Sequence, residues 1–506
     1  MPPATPAEQP TRPPAVVVIG GGIAGLAAAW ELSGGDIGAA VGGPRVTVLE
    51  ASPSLGGELR SEEFAGRAVD LGPDGVLGRR PEALDLARAV GLGAELVPIG
   101  ASGASVWARG RLRPMPAGLA LGVPTRWWPV ARSGVLGPAG SLRLARDGLA
   151  PRPSRRGPIG DRALGPLVAD KLGAKVVDTL VGPLVGGINA GSVADMSTAA
   201  VSPQLLAAAG QRGGLMRALR RMQPAGAGGE PAFWALERGM GSLVQRLADR
   251  LEERGVQLST GLAAARLERA EPGAPPWIVH SPAGSFAADG IVLATPAPIA
   301  RDLLGPHDAE AATLLGGIDH ASVALITLQF PLDALPEPLF GTGFLVPRDS
   351  PVPGGSVPDG TAAGEEVPTL LITACTFLSQ KWPHLAREGD VLLRASVGRF
   401  GDDRPGQLDD DALVARVIHE LSAILGITAR PSATRITRWP DSFPQYRVHH
   451  LLRVVGIEAA LRRLPTLAVA GAAYRGVGVP ACIASGRQAA NTVLDAIAGK
   501  PAPPLL

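Results

Sequence analysis

The sequence predicts an α/β protein whose main sheet is assembled from stretches that lie far apart along the chain, with a second lobe formed by the segments between them. Three observations lead to this prediction. The apolar run Ala15–Ile19 is followed by closely spaced glycines and a run of small residues. Two later stretches, near the middle and at the end of the chain, repeat buried-strand and helix patterns. The regions that separate them read as helical in one case and β-rich in the other.

The first element is a strand, a tight glycine turn and a helix. Gly20, Gly22 and Gly25 follow the apolar run. Glycines remove side chains where a pyrophosphate would touch the backbone, and the next helix directs free N–H groups and its positive dipole end at that phosphate. A second strand, at 46–49, ends in Glu50, whose carboxylate can accept a hydrogen bond from a ribose hydroxyl. The chain therefore begins as a dinucleotide site.

The later elements divide the chain into domains. Around 230–300 we expect a helix, at 240–254, then short strands that include 261–267, and a buried strand near 290–296. At the end we expect a strand at 467–471 and a helix at 483–498. The predicted domains are a disordered tail at 1–14, a nucleotide-binding domain from 15–80, 230–300 and 435–506, a mostly helical domain at 81–229 that lines the active site, and an α+β substrate-binding domain at 301–434.

Composition limits the class of protein. The 506 residues are 46% apolar and 19% charged, as in a folded globular protein, and the net charge of +2 gives no field that would recruit nucleic acid. The two cysteines, Cys375 and Cys482, form neither a disulfide framework nor a metal-ligand spacing, so we expect no metal site and a reducing compartment. No stretch reads as a transmembrane helix or a secretory signal, which predicts a cytoplasmic protein.

The string that continues from Glu50 indicates which dinucleotide binds. Residues 49–57 read LEASPSLGG, Arg60 follows, and 69–75 read VDLGPDG. The order of strand, glycine turn, helix, strand, acid, paired glycines and arginine resembles the superfamily of flavin amine oxidases and protoporphyrinogen oxidases. This resemblance implies FAD, in place of NAD, and a Rossmann-like cofactor domain of the glutathione-reductase type.

The C-terminal string narrows the resemblance. Residues 470–490, AGAAYRGVGVPACIASGRQAA, are similar to the terminal signature of the oxygen-dependent porphyrinogen oxidases, which act on protoporphyrinogen or coproporphyrinogen. Its residues alone predict a strand, a glycine-rich loop and a helix whose N-terminus can stabilise negative charge on a reduced flavin.

The family's cofactor contacts can be carried over to matching positions of this chain. They include the glycine turn, the ribose acid, both glycine-containing strings and the C-terminal loop, with Ala264 and Trp439 anchored by shorter motifs. The implied contacts are Gly20, Gly21, Gly22, Ile23, Ala24, Gly25, Glu50, Ala51, Glu58, Gly72, Pro73, Asp74, Gly75, Ala264, Trp439, Val477, Gly478 and Val479.

One position separates branches of the family. The animal enzymes have arginine after the Gly-Pro pair of the 69–75 string, whereas this chain has Asp74, like the bacterial branch associated with coproporphyrinogen. The resemblance therefore implies FAD-dependent oxidation of coproporphyrinogen III to coproporphyrin III in haem biosynthesis. Oxidation of protoporphyrinogen IX is the first alternative. Arginines should bind the four substrate carboxylates, but the sequence does not indicate which ones.

The chemistry that the resemblance implies requires few catalytic groups from the protein. Hydride leaves a saturated meso carbon for the flavin, the pyrrole nitrogens stabilise the developing cation, and dioxygen reoxidises the flavin with release of hydrogen peroxide. No catalytic triad is expected. Asn189, in a segment that approaches the active site in this family, is a candidate for orienting a pyrrole N–H, with a simple turn asparagine as the alternative.

Other functions stay open. An amine oxidase or a carotenoid-type desaturase uses the same scaffold, and a flavin-binding protein without turnover is the alternative from another class. Cys482 lies in the region where some amine oxidases attach flavin, but in a different local motif, so FAD should bind non-covalently. Trp127 and Trp128 are interpreted as buried tunnel lining, with peripheral contact at the inner face of the membrane as the alternative. A ferrochelatase would be the partner that receives the porphyrin.

Overall fold

A computed structural model describes residues 12–38, 42–149, 160–211, 214–222, 231–271, 273–353, 368–464 and 466–501. The strands, numbered in chain order, are β1 Ala15–Ile19, β2 Arg45–Leu49, β3 Ser61–Phe64, β4 Arg67–Asp70, β5 Val76–Leu77, β6 Leu96–Pro98, β7 Ser105–Ala108, β8 Arg111–Pro114, β9 Leu119–Ala120, β10 Val123–Pro124, β11 Phe233–Leu236, β12 Gln257–Ser259, β13 Arg266–Arg269, β14 Trp277–Ser281, β15 Gly284–Ala288, β16 Gly290–Leu293, β17 His320–Pro331, β18 Gly343–Leu345, β19 Ile372–Phe377, β20 Asp390–Val397, β21 Ala433–Pro444 and β22 Leu467–Val469.

The α-helices are α1 Ile23–Leu32, α2 Pro81–Ala89, α3 Trp127–Ser133, α4 Gly137–Leu149, α5 Leu164–Leu172, α6 Ala174–Val176, α7 Thr198–Val201, α8 Pro203–Ala209, α9 Leu215–Met222, α10 Gly241–Glu253, α11 Ala297–Leu304, α12 Ala309–Gly316, α13 Leu378–Lys381, α14 Arg404–Gln407, α15 Asp410–Leu425, α16 His450–Leu461 and α17 Val479–Ile497. A π-helix, Val177–Gly186, continues directly from α6.

The cofactor-binding domain is built on a five-stranded parallel sheet. Its strand order is β12-β2-β1-β16-β22, so segments from the start, middle and end of the chain lie side by side. This is the discontinuous assembly that the sequence predicts. Because the strands are parallel, their carboxyl ends meet at one edge, where open α/β sheets bind ligands.

Both faces of this sheet are buried, which explains why its strands read as continuous apolar runs. Val16 and Val18 pack with α1, α10 and α17 on one face. Val17 and Ile19 pack on the other face with the three-stranded antiparallel sheet β13-β14-β15 and with α11, α12 and α16. The alternation along β1 places successive side chains in two separate cores.

A seven-stranded sheet forms the second lobe. Its order is β21-β17-β20-β19-β18-β7-β8, antiparallel except where β18 pairs with β7. One face is covered by α15, whose Leu413, Val417 and Leu421 are fully buried. The helices α3 to α9 and the π-helix form a separate cluster around a core of valines and leucines.

The structure departs from the predicted domain extents in three places. The region 81–229 is not mostly helical at its start, because five strands lie between 96 and 124, and β7 and β8 join the substrate-lobe sheet. The boundary at 435 is wrong, because β21 pairs with β17 and continues that sheet. The predicted strand at 261–267 begins only at Arg266.

The N-terminal tail is also shorter than predicted. Arg12 forms an ion pair with Asp289, at 2.8 Å, and the Pro14 carbonyl accepts a hydrogen bond from the Arg45 amide. Residues 12–14 are therefore attached to the parallel sheet, and the prediction for 1–11 lies outside the described residues. No helix in the described part of the chain is long and apolar enough to cross a membrane.

Candidate functional site

The glycine turn lies at the carboxyl edge of the parallel sheet, packed against its neighbours. A Cβ on Gly20 would stand 2.3 Å from the Ala294 carbonyl oxygen, and a Cβ on Gly25 would stand 1.9 Å from the Gly20 carbonyl oxygen. Neither position can hold a side chain without moving backbone. These two glycines bring the start of α1 against the ends of β1 and β16.

Gly22 is different, because nothing in the fold requires a glycine there. Its backbone is extended, with φ −67° and ψ 173°, and a Cβ on it would have no described atom within 4 Å. Gly22 caps the N-terminus of α1 without a side-chain hydrogen bond. Gly478 caps α17 in the same way, with φ −76° and ψ 152°, and a Cβ there would meet only the Pro480 ring at 3.8 Å. Both glycines therefore border open space.

These two helix ends lie on packed helices. A Cβ on Gly486, in α17, would come within 2.0 Å of the Ala24 carbonyl oxygen in α1, so the two helices touch backbone to backbone. Neither helix has an acidic residue in its first turn. Two uncapped helix N-termini that border open space supply free N–H donors and positive potential, which is the chemistry that a dinucleotide's phosphates and an electron-rich ring require.

The predicted ribose acid stands at the end of β2. The Glu50 carboxylate accepts hydrogen bonds from the amides of Gly21, at 2.6 Å, and Ser52, at 2.7 Å. Its own carbonyl accepts from the Leu262 amide, which brings the segment of Ala264 beside Glu50 and Ala51. The sequence-predicted residues of this corner are therefore adjacent, although about 210 positions separate them.

Glu58 lies between the glycine turn and the 72–75 string. The Gly56 amide donates to the Gly21 carbonyl, and the Glu58 carbonyl lies so close to Gly72 that a Cβ there would stand 2.1 Å away. Glu58 is partly buried, and burial raises the pKa of its carboxyl to about 7. It also contributes to the raised pKa of Cys482 in α17, so it lies near the N-terminal end of that helix.

The carboxylate of Asp74 is bound by side chains of the other lobe. It is buried and accepts hydrogen bonds from Lys381 Nζ, at 2.9 and 3.0 Å, and from Trp382 Nε1, at 3.0 Å, and Arg394 lies 3.2 Å away. These cations offset the desolvation and hold the pKa of Asp74 well below its usual range. Only the backbone of Asp74 remains for the predicted cofactor contact.

Arg394 also fixes the backbone of the same turn. Its guanidinium donates to the carbonyls of Asp70, at 3.1 Å, and Gly72, at 3.0 Å. Lys381 ends α13 and Arg394 belongs to β20, so the substrate-lobe sheet positions Gly72, Pro73 and Gly75. On the far edge of that sheet, the Trp439 indole donates to the Leu71 carbonyl at 2.8 Å. The predicted contact Trp439 is thus next to the string, but on the other lobe.

The C-terminal loop is held by two aromatic side chains. The Tyr446 hydroxyl donates to the Ala472 carbonyl and accepts from the Gly476 amide, at 2.8 Å. The Tyr446 ring stacks on His450, with centroids 4.0 Å apart, and His450 contacts the Tyr474 carbonyl at 2.9 Å. Burial lowers the pKa of His450 to about 4, so the ring is neutral at pH 7. Tyr446 therefore holds the loop that leads to Val477, Gly478 and Val479 at two places, Ala472 and Gly476.

Asn189 lies where the helical lobe meets the substrate-lobe sheet. Its Nδ2 donates to the Val185 carbonyl at 2.8 Å, and its backbone carbonyl accepts from Gln445 at 3.1 Å. This arrangement leaves the amide oxygen as the group that can accept from a pyrrole N–H. The role of Asn189 stays a prediction.

The interpretation of Trp127 and Trp128 as buried tunnel lining is wrong. Their exposed fractions are 48% and 49%, because both rings lie on the first turn of the short helix α3 at the surface of the helical cluster. Leu142, on the adjacent α4, is also exposed.

With the geometry in place, comparison with known proteins identifies the family. Residues 23–494 match the flavin containing amine oxidoreductase family. The chain belongs to this family. It is 30% identical to the coproporphyrinogen III oxidase of Bacillus subtilis, over 95% of this chain and 97% of that protein. It is 34% identical to the coproporphyrinogen III oxidase of Mycobacterium tuberculosis, over 96% and 98%.

A solved structure supports the fold. The putative protoporphyrinogen oxidase of an Exiguobacterium species shares 32% identity, with a TM-score of 0.82 over 95% of this chain and 98% of that chain. The predicted family and the predicted α/β fold are therefore confirmed, and the chain is a flavin-dependent oxidoreductase. Which of its residues touch the cofactor stays a prediction.

Sequence reasoning missed the residues that support the site. Lys381, Arg394 and Trp382 lie more than 300 positions from Asp74, and no local pattern links them. The one available signal was the rarity of lysine, since Lys381 is one of four in the chain. Tyr446 and His450 were missed as well, because no local pattern indicates that they hold the C-terminal loop.

Proposed function

We propose that the protein binds FAD non-covalently and oxidises coproporphyrinogen III to coproporphyrin III, with dioxygen as the electron acceptor and hydrogen peroxide as the second product. The observation that carries this proposal is the similarity, along almost the whole chain, to proteins named coproporphyrinogen III oxidase. Asp74, in the place where the animal protoporphyrinogen enzymes have arginine, agrees with this assignment.

The residues fit the cofactor. The open space beside Gly22 and Gly478 is where a Cβ would compete with a bound phosphate or ribityl chain. Glu50 and the Ala264 segment would hold the adenosine end, and the backbone of 72–75 with Trp439 would hold the ring end. The chemistry that bound FAD supplies is acceptance of hydride from a saturated meso carbon and return of the electrons to dioxygen.

Residues of this chain would stabilise charge, hold the 72–75 backbone and orient the substrate. The N-terminus of α17 would stabilise negative charge that develops beside Gly478. Arg394 and Lys381 hold the 72–75 backbone in place through Asp74. The Asn189 amide oxygen would orient the macrocycle by accepting from a pyrrole N–H. No strong general base is required, because the pyrrole nitrogens delocalise the positive charge left by hydride loss.

Cys482 supports non-covalent binding. Its thiol is buried, its Sγ lies 3.9 Å from the carbonyl oxygens of Gly476 and Val477, and burial raises its pKa to about 12. A protonated, buried thiol is a poor nucleophile toward a flavin.

Protoporphyrinogen IX is the second candidate substrate, supported by the similarity to the Exiguobacterium protein, a putative protoporphyrinogen oxidase. An amine substrate is disfavoured by the tyrosines, because Tyr446 is committed to the C-terminal loop and Tyr474 is buried at 3% exposure. Neither ring is available to enclose an amine. Handover of the porphyrin to a ferrochelatase, and a cytoplasmic location with peripheral membrane contact through Trp127 and Trp128, belong to the same proposal.

The test compares substrates on the purified yellow protein. Coproporphyrinogen III in air should yield fluorescent coproporphyrin III and peroxide, at a higher initial rate than protoporphyrinogen IX yields its porphyrin. A faster rate on protoporphyrinogen IX would favour the second candidate. Turnover of a polyamine with no rate on either porphyrinogen would reject the proposal.

A further inference from the structure

Arg399 presents a partly buried cation that the fold does not use. It lies two residues after the end of β20, and its Nε is buried and has no hydrogen-bond partner among the described residues. Burial lowers the pKa of this guanidinium, and the neighbouring Arg348 adds to the effect, so that the nearby Asp349 and Asp402 do not compensate. Leaving a buried charge unpaired is costly, which indicates that an anion from outside the chain completes this position.

Neither nearby carboxylate forms an ion pair with Arg399. Asp402 forms one with Arg404 at 2.7 Å, and Asp349 is exposed. Arg348 donates to the Phe400 carbonyl at 3.2 Å and is otherwise exposed. The neighbourhood therefore keeps a positive excess at Arg348 and Arg399, and Arg399 is only partly buried, so a carboxylate can approach its guanidinium although the Nε itself is shielded.

The segment that carries Arg399 is linked by hydrogen bonds to the predicted active site. The Phe400 amide, next to Arg399, donates to the Ala190 carbonyl at 2.7 Å, and Ala190 follows the candidate substrate-orienting Asn189. Gln445 donates to Asn189, and its neighbour Tyr446 holds the C-terminal loop. Three hydrogen bonds, joined by neighbouring residues along the chain, thus connect the segment of Arg399 to the loop that leads into α17.

We infer that Arg399, assisted by Arg348, is a carboxylate-binding residue that takes a propionate side chain of the tetrapyrrole. This inference rests on the proposed function and names the residues that the sequence alone left unassigned. The guanidinium would be neutralised by the ligand, and the macrocycle would lie with one carboxylate edge toward Phe400 and its pyrrole nitrogens toward Asn189.

The test measures binding and does not depend on turnover. The wild-type holoenzyme is titrated with coproporphyrin III, the proposed product, and with its tetramethyl ester, which has the same ring but no carboxylates, and the shift of the porphyrin absorption band gives Kd. Arg399→Gln should weaken binding of the acid about 10-fold to 100-fold and leave binding of the ester unchanged. Arg399→Lys should recover part of the loss, since it restores the charge without the fork.

Two further variants control for structure. Arg430→Gln removes an exposed arginine from the same lobe and should change neither Kd. Arg348→Gln changes a residue with an exposed head and should give a smaller loss, again confined to the acid. FAD content and the melting temperature of each variant report whether the fold is intact.

Equal weakening for the acid and the ester in Arg399→Gln, or no weakening for either, would overturn the inference. If Arg399→Gln does not fold, the same two outcomes in Arg348→Gln overturn it. A wild-type protein that binds neither porphyrin and oxidises neither porphyrinogen would overturn the proposed function together with it. Wild-type binding and turnover with an unselective variant would overturn the carboxylate role alone.

Discussion

The absence of a side chain at Gly22 is predicted to serve cofactor binding and not the packing of the fold. Because a Cβ there meets open space and the backbone is extended, Gly22→Val should leave the melting temperature of the cofactor-free protein nearly unchanged. The valine would occupy the predicted place of the pyrophosphate, so the purified variant should be colourless, as measured by absorbance near 450 nm relative to 280 nm. Full FAD content in this variant would show that the site is misplaced.

The control for this prediction is Gly25→Ala. A Cβ at Gly25 would stand 1.9 Å from the Gly20 carbonyl oxygen, so this variant should lose stability as well as FAD. The two variants together distinguish a residue kept small for a ligand from one kept small for the fold.

Replacing Asp74 tests how much one buried carboxylate, which is bound by side chains of the other lobe, contributes to the free energy of unfolding. Asp74→Asn leaves Lys381 and Arg394 without their anionic partner in a buried position, and we expect the free energy of unfolding to fall by about 3–5 kcal/mol in urea titrations. Asp85→Asn, which removes an exposed ion pair with Arg88, should cost less than about 1 kcal/mol. A near-neutral Asp74→Asn would mean that the two cations find water or other partners.

Glu58 should make stability depend on pH. Its pKa in the folded protein, about 7, lies above its ordinary value of 4.5, so the folded state holds a proton that the unfolded state has lost between these values. Stability contributed by this group therefore falls as the pH rises from 4.5 to 7 and stays lower above 7. Glu58→Gln should stabilise the cofactor-free protein at pH 8, by on the order of 3 kcal/mol, and should have little effect at pH 4.

Thermal unfolding at both pH values measures this effect, with Glu63→Gln as the control because that residue is exposed on β3, five positions later in the chain. Equal shifts at pH 4 and pH 8 would show that the substitution acts through packing and not through the charge.

At the scale of elements, the loop between β22 and α17 depends on one hydroxyl. Tyr446→Phe removes both of its hydrogen bonds, to Ala472 and from Gly476, and leaves two backbone groups without partners. We expect FAD to bind roughly 10-fold to 30-fold more weakly, as measured by recovery of flavin fluorescence on dilution, since each bond contributes about 1 kcal/mol.

Tyr474→Phe is the matched control, because the Tyr474 hydroxyl is buried and has no hydrogen-bond partner among the described residues. Its removal should be neutral or slightly stabilising, with FAD affinity unchanged. An equal loss of FAD in both variants would mean that the rings hold the loop and the Tyr446 hydroxyl does not.

At the scale of the whole molecule, the surface of the helical cluster offers an apolar and basic patch. Trp127 and Trp128 are half exposed, Leu142 on the neighbouring helix α4 is exposed, and Arg132 lies 5.6 Å from the Trp128 ring centroid. Replacing both tryptophans with serine should lower binding to vesicles that contain anionic lipid, in a flotation assay, without changing FAD content. Wild-type protein that stays unbound at low salt would remove membrane contact from the proposal.

Sequence reasoning succeeded where the residues that form a pattern lie close together along the chain, and it failed where distant segments pair. The strands β1 and β2 and the start of α1 were predicted because apolar runs, glycines and an acid follow one another within about 35 residues. The strands β7 and β8 were missed because they are only four residues long and β8 contains two arginines. Trp439 was assigned to the wrong domain because β21 owes its place to pairing with β17, about 110 residues earlier.

The same difference applies to the site. Motifs identify the backbone cradle, since glycines and their spacing are local. The partners of Asp74 and the unpaired Nε of Arg399 arise where distant segments meet, and a single sequence does not show which distant segments meet.

The order of strands in the parallel sheet has a consequence for synthesis of the protein. Its edge strand β22 is also the last of the described strands in chain order, and α17 follows it. A nascent polypeptide on the ribosome therefore carries an unfinished edge, beside β16, until residues 467–497 have been synthesised. Because Gly478 belongs to this late segment, the proposed flavin cradle stays incomplete over the same period.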